Sequence, residues 1–317
     1  MKNILVRAPQ WLGDAVVSAV FLDRLKRREP ESQITVLCTR ALVPLFERHP
    51  AVHATLALPY PEGNVLEAGK RIRKQGFDEA YVLPRSFRAA LEPFLGKVPR
   101  RIGYSGDLRK LLLTDVFPYD AKRLYAHRYL ALINEAQLPL ESIRPFFPME
   151  TPQDPKFTGL KGPLLAIAPV SIAPSRTWMP ERFAETANQW QTRTGGTVVL
   201  FGSAKERPAI QAVADKITGT VLNSAGDLSL AELGWVLKKC DFFIGNDSGL
   251  MHVAAALQLP GIIVFGASDP MYALPPWGRL NGAQNKTLPC VPCLRNHCVR
   301  FGNGYNECLK TVQLGDF

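Results

Sequence analysis

The stretch from Asp241 to Gly266, DFFIGNDSGLMHVAAALQLPGIIVFG, limits the fold more than any other part of the chain. An apolar run, DFFIG, is followed by a turn of Asn, Asp, Ser and Gly, then by an apolar-faced segment, GLMHVAAAL, and a second apolar run, GIIVFG. Short apolar runs on either side of a helix-length segment read as buried parallel strands joined by a helix, a βαβ unit. In such a unit the polar turn lies at the carboxyl end of the sheet, where helix amides carry partial positive charge and anions bind. Ser248 then serves as helix cap, and Gly249 lets a phosphate approach closely. Asp and Ser also cap helices in proteins that bind no phosphate, so the turn alone leaves both readings open.

The same alternation runs along the rest of the chain. NILVRA, QITVLCT and EAYVLP read as strands of a first half, with GDAVVSAVFLDRLKRREP and LVPLFERHP as helical segments between them. LLAIAPV and GTVVLFG open a second half, with MPERFAETANQWQTR, ERPAIQAVADKI and SLAELGWVLKKC as its helices. Between them PFFPMETPQDPKFTGLKGP holds five prolines and no apolar period, which marks a linker. The expected organisation is an α/β domain over 1–150, a linker over 151–163, a second α/β domain over 164–285 and a Cys-rich tail over 286–317. Two such domains predict two Rossmann-like sheets facing across a cleft.

At 317 residues and 46% hydrophobic content the chain has ample core for two domains. It has no run of about 18 apolar residues and no cleavable leader at its start, so a cytoplasmic location is expected. The net charge of +10 is concentrated: residues 70–128 carry 14 Lys and Arg against 6 Asp and Glu. Such a field suits an anionic partner, a phosphorylated glycolipid, a nucleic acid or a membrane surface, or else is a solvated face. No nucleic-acid motif accompanies it, and no nucleic-acid partner is expected.

Candidate site residues fall where strands turn into helices. Gly13 and Asp14 follow the first strand; Asp14 either caps the helix, the commoner use of an Asp there, or acts as a carboxylate base. In the second half APVSIAPSRTW supplies Ser171, Ser175, Arg176 and Thr177, LFGSAKERP supplies Glu206, and NDSGLMH supplies Asp247, Ser248, Gly249 and His252. Small hydroxyls, one cation and a carboxylate suit a nucleotide diphosphate, with Arg176 and helix amides on phosphate and Glu206 on ribose. No GxGxxG or GxxxxGK[ST] loop and no DxD pair is present, so neither a dinucleotide fingerprint nor a metal-held diphosphate is expected. His252, on an apolar helix, is either a packed core residue or a ligand contact.

RAPQWLGDAVVSAVFLDRL, WMPERFA and GNDSGLMHVAAALQLPGIIVFGASDP together resemble the ADP-heptose:lipopolysaccharide heptosyltransferases of glycosyltransferase family 9, inverting bacterial enzymes. The resemblance spans nearly the whole chain, and the tail LPCVPCLRNHCVRFGNGYNECL is similar to that of the heptosyltransferase II branch. It implies a GT-B fold, with acceptor on the first domain and ADP-sugar on the second. It also implies Asp14 as general base, with Gly13, Arg85 and Arg88 toward the acceptor. On the donor side it implies phosphate contacts from Asp247, Ser248 and Gly249, with His252 one helical turn on, a ribose contact from Glu206 and an apolar cover for adenine from Leu228. Where the family usually carries Lys in a GPAKRWP-like stretch, this chain reads APSRTWMP, so Arg176 takes the cationic role.

The function so implied is transfer of L-glycero-D-manno-heptose from ADP-heptose to the inner core of lipopolysaccharide, as second heptose. The basic segment would dock the enzyme peripherally on the cytoplasmic face of the inner membrane, beside its anionic acceptor. Another surface-glycan acceptor, or a non-catalytic nucleotide-sugar or nucleic-acid binding module, is the alternative. No cofactor is required by this chemistry. The tail thiols Cys290, Cys293, Cys298 and Cys308 either form a structural zinc or iron–sulfur site or stay free in a hairpin.

Overall fold

The computed structural model describes residues 1–60, 62–106 and 108–315. The chain divides into two compact units, Met1–Pro148 and Met149–Phe317. Each is built on one six-stranded sheet, all of whose described pairings are parallel.

The first unit holds β1 (Asn3–Arg7), β2 (Gln33–Cys38), β3 (Ala54–Ala57), β4 (Glu79–Val82), β5 (Arg100–Tyr104) and β6 (Asp115–Phe117), in the spatial order β3-β2-β1-β4-β5-β6. The order reverses between β1 and β4, which pair Ile4 with Glu79 through Arg7 with Val82. Such a reversal leaves a crevice beyond the carboxyl ends of the two strands, the usual ligand position of this topology. Helix α1 (Leu12–Arg28) buries ten residues, among them Val16, Val20 and Phe21. Asp14 stands in its first turn and Lys26, Arg27 and Arg28 in its last, each charge on the favourable end of the helix dipole. The helix α2 (Tyr125–Ala131) packs on α1 and brings tyrosines beside it.

Part of the basic segment is structural. Arg100 opens β5 and reaches both neighbouring strands, with Nη1 2.7 Å from Glu79 Oε2 and Nη2 2.9 Å from Asp115 Oδ1. Arg101 donates to the carbonyl of Leu112 at 2.6 Å, and Arg109 and Arg128 are buried. Other cations of the segment are exposed, among them Lys70, Arg73 and Lys74 on the helix Val65–Gln75, and Lys97, Lys110 and Lys122 beyond it.

The second unit holds β7 (Leu164–Ala168), β8 (Thr197–Leu200), β9 (Val221–Asn223), β10 (Phe242–Asn246), β11 (Pro260–Phe265) and β12 (Arg279–Gln284), ordered β12-β11-β10-β7-β8-β9. Counted from its own first strand this is the order of the first unit again, with the reversal between β7 and β10. β10 and β11 are joined by α3 (Gly249–Ala256), the βαβ unit expected from the sequence. One apolar cluster gathers Trp178, Phe183, Trp190, Val198, Ile210, Ile244 and Val264 together with Leu309 and Val312 of the tail.

Segment 151–163, expected as a linker, lies in the second unit: Asp154 caps the short helix Pro155–Thr158, and Phe157 is buried. The tail 286–317 also belongs to that unit, its last two positions lying outside the described residues. Among the described residues no helix is long and apolar enough to cross a membrane.

Candidate active site

In the first unit, a cavity of about 270 Å³ opens at the crevice between β1 and β4. Its floor comes from Arg7, Pro9, Gln10, Trp11 and Asp14 after β1, and from Leu83, Pro84, Arg85 and Ser86 after β4. Tyr104, Tyr119, Tyr125, Arg128 and Tyr129 complete the wall. The N-cap position of α1 is held by Trp11, which is 62% exposed and whose side chain makes no capping bond. Asp14 stands in the first turn of α1 and not at its N-cap position. Its carboxylate faces the cavity beside Tyr125 and Tyr129 and raises the pKa of both phenols, after burial, which is the larger cause. Burial also pushes Tyr104 up to about 12. All three phenols therefore stay protonated near neutrality, and those of Tyr125 and Tyr129 can donate hydrogen bonds to sugar oxygens.

Arg128 is fixed behind this wall. Its guanidinium donates to the carbonyls of Arg123 (2.8 Å) and Ala121 (2.7 Å) and to the Tyr119 hydroxyl (2.7 Å), while Tyr104 donates to its carbonyl. Arg85 is exposed and lies over the Tyr119 ring at 3.7 Å, a cation–π stack that leaves guanidinium edges open. Arg88 is exposed over Tyr60 at 5.2 Å and is not among the residues lining the cavity. Gly13 is buried in α1. Sequence reasoning missed the tyrosine wall. Four tyrosines between positions 104 and 129 were the available signal, masked there by the surrounding basic residues.

The second unit gathers the other candidates at its own reversal point. The turn after β7 carries Arg176, with Nη1 3.4 Å from Asp247 Oδ2 after β10. Asp247 is 8% exposed and accepts from Ser268 Oγ at 2.5 Å, a residue the sequence reading passed over. Ser248 stands at the N-cap position of α3, but its hydroxyl makes no capping bond, contrary to expectation. Ser248 Oγ and His252 Nδ1 are both buried with no hydrogen-bond partner among the described residues, one helical turn apart. Burial lowers the His252 pKa to about 4 despite the opposing pull of Asp247, so the ring is neutral at physiological pH. A helix N-terminus with Gly249 in its first turn, two unsatisfied polar atoms and a fixed guanidinium suit an anionic group such as phosphate.

The remaining candidates are tied into their own loops. Ser171 Oγ donates to the Asp247 carbonyl at 3.0 Å, and Thr177 Oγ1 donates to the carbonyls of Ser171 (3.1 Å) and Ala173 (3.2 Å). Ser175 is buried, its hydroxyl donating to the Arg295 carbonyl at 2.5 Å. Glu206 closes a capping box with Ser203, accepting from its amide at 2.7 Å and its hydroxyl at 2.8 Å through one oxygen. Leu228 is half-buried just before the helix Leu230–Lys239. Cys290, Cys293, Cys298 and Cys308 are free thiols, and the described residues contain no group of three or more His, Cys, Asp or Glu placed to hold a metal. The zinc or iron–sulfur expectation thus finds no ligand set. Cys298 Sγ instead accepts from the Asn306 amide at 3.4 Å, and Cys308 packs on the core.

Residues 65–302 match the model of glycosyltransferase family 9 (heptosyltransferase). Lipopolysaccharide heptosyltransferase 2 of Salmonella typhimurium is 34% identical over 298 residues, covering 86% of this chain and 85% of that one. Lipooligosaccharide heptosyltransferase 2 of Haemophilus influenzae is 31% identical over 303 residues, 86% of each. The solved structure of Escherichia coli ADP-heptose LPS heptosyltransferase II superposes with a TM-score of 0.80 at 30% identity, over 98% of this chain and 94% of that one. Its paired Rossmann-like units make this a GT-B fold, and the chain belongs to glycosyltransferase family 9, the heptosyltransferases.

Proposed function

We propose that this enzyme transfers L-glycero-D-manno-heptose from ADP-heptose to the inner core of lipopolysaccharide, as the second heptose, with Asp14 as general base. The observation that carries the reading is the Asp14 carboxylate facing a Tyr- and Arg-lined cavity at the end of β1. Similarity to proteins named heptosyltransferase 2 supports the choice of sugar and of step. The acceptor hydroxyl gives its proton to Asp14 as its oxygen bonds to the anomeric carbon of the heptose. The bond from that carbon to the β-phosphate oxygen breaks, its electron pair leaves with ADP, and the anomeric configuration inverts. The charge gathering on the departing diphosphate is met by Arg176 and the amides at the start of α3, with Ser248 and His252 supplying polar contacts.

On the acceptor side Arg85, with Arg88 further out, recognises carboxylates and phosphates of the inner core, and the phenols of Tyr125 and Tyr129 bond to sugar hydroxyls. Donor binding further uses Asp247 to orient Arg176, Gly249 to admit phosphate, Glu206 toward ribose and Leu228 toward adenine. The exposed lysines and arginine of the helix Val65–Gln75 hold the enzyme peripherally at an anionic membrane surface.

Mass spectrometry of acceptors incubated with ADP-heptose tests this. Mass should increase by one heptose only on the mono-heptosylated acceptor, and Asp14→Ala should lower kcat by roughly 10²–10⁴-fold with ADP affinity unchanged. No transfer to the mono-heptosylated acceptor, or to the same acceptor lacking heptose, by a protein that still binds ADP would overturn the assigned substrates.

A further inference from the structure

The Cys-rich tail reaches the donor side of the second unit at one residue the proposed mechanism does not use. The turn Pro174–Arg176 is stitched to it on one side: Ser175 Oγ donates to the Arg295 carbonyl at 2.5 Å, and the Ser175 amide donates to the Asn296 carbonyl at 3.3 Å. Asn306 Nδ2 holds the Pro174 carbonyl at 3.1 Å, and the Leu294 amide donates to Ala267, whose own amide donates to Ser175. On the other side Trp178 is 1% exposed, with its amide on Asn246 Oδ1 (2.9 Å) and its indole N–H on the Leu309 carbonyl (3.0 Å). The backbone that carries Arg176 is thereby fixed at both ends. Its guanidinium is held as well, by Asp247 on Nη1 and, through the side chain of the tail, by Asn296 Oδ1 on Nη2 at 3.1 Å.

We propose that Asn296 is a positioning residue for donor binding, acting through Arg176: its carboxamide oxygen locks the guanidinium so that the remaining N–H donors meet the diphosphate of the nucleotide-sugar. This rests on the assignment of Arg176 to that diphosphate. A guanidinium has five donors in a rigid fork; the two bonds described use two of them and leave three for an anion. With Asp247 alone, across 3.4 Å, the fork would swing about a single contact. A neutral amide supplies the second contact without adding negative charge, whereas a second carboxylate would cancel the field an incoming phosphate needs. Asn296 is exposed, so replacing it leaves the core intact.

The test is calorimetric titration of the full chain with ADP and, separately, with adenosine, which lacks the phosphates. Asn296→Ala should weaken ADP about tenfold and leave adenosine within twofold, and Asn296→Asp, which keeps the acceptor but adds a charge, should weaken ADP further. In an Arg176→Ala background, Asn296→Ala should have no additional effect. Equal losses for ADP and adenosine, or losses that simply add to those of Arg176→Ala, would overturn the role of Asn296 and leave the diphosphate assignment standing. Unchanged ADP affinity in Arg176→Ala would overturn both.

Discussion

Arg7 and Glu92 form an ion pair sealed in the first unit, with Nε 2.7 Å from Oε2 and side chains 1% and 0% exposed. Tyr60 adds a hydrogen bond to the other carboxylate oxygen at 3.2 Å. Because both charges are desolvated, the pair is no measure of net stability, yet breaking it strands an uncompensated charge. Glu92→Ala should lose about 3–5 kcal/mol in urea unfolding. Arg7→Met combined with Glu92→Leu should recover most of that loss, since apolar pairs of similar volume commonly match buried ion pairs. Arg7 also lines the Asp14 cavity, so the double variant separates folding from transfer: its stability should return while its activity does not. Residues of this kind are the hardest to read from sequence. Arg7 sits in NILVRA as a polar end to a strand, and nothing local marks its partner 85 positions away.

At the scale of elements, Gly266 shows how closely the tail is fitted. A Cβ at this position would lie 2.5 Å from the Ser175 carbonyl oxygen and 2.8 Å from Leu309 Cγ, so the end of β11, the Arg176 turn and the tail meet where only glycine fits. Gly266→Ala should lower the melting temperature and weaken ADP together, whereas Gly76→Ala, at an open left-handed helix end, should affect stability alone. Melting curves with and without ADP distinguish the two. The strands bearing the first site, β1 and β4, and those bearing the second, β7 and β10, were legible as apolar runs of fitting length. β5 was not: RRIGY reads as part of a basic patch, because Arg100 serves cross-strand ion pairs and Arg101 bonds to backbone carbonyls, with partners that lie in other segments. The edge strands β3, β6, β9 and β12 escaped for a related reason, being short or half-exposed with no continuous apolar run. Asn296 escaped because thiols dominate its surroundings, and its meaning depends on an arginine 120 positions earlier.

For the whole molecule, two imidazoles set the acid limit. Burial lowers His49 and His252 each to about 4 from an ordinary 6.5. Above about pH 7 both rings are neutral whether the chain is folded or not, and stability is level with respect to them. Between pH 6.5 and 4 the unfolded chain takes up protons that the native chain refuses, so unfolding free energy falls as pH falls. For His49 the loss approaches about 3 kcal/mol at the low end of the window. Urea unfolding between pH 7.5 and 4.5 should show this decline, and His49→Gln should make it shallower while lowering the level above pH 7, because the buried ring's packing on Phe146 and its bond from the Ala51 amide are lost.

Both sheets take the same strand order, and each is assembled from one continuous half of the chain, so synthesis can complete the first before the second emerges. The Arg176 turn is different. The segment that stitches it leaves the ribosome 120 residues later, on the order of ten seconds at typical elongation rates. Over that interval a nascent chain already has its Arg176 turn but not the tail that orders it, and the turn takes its final form only once the tail arrives.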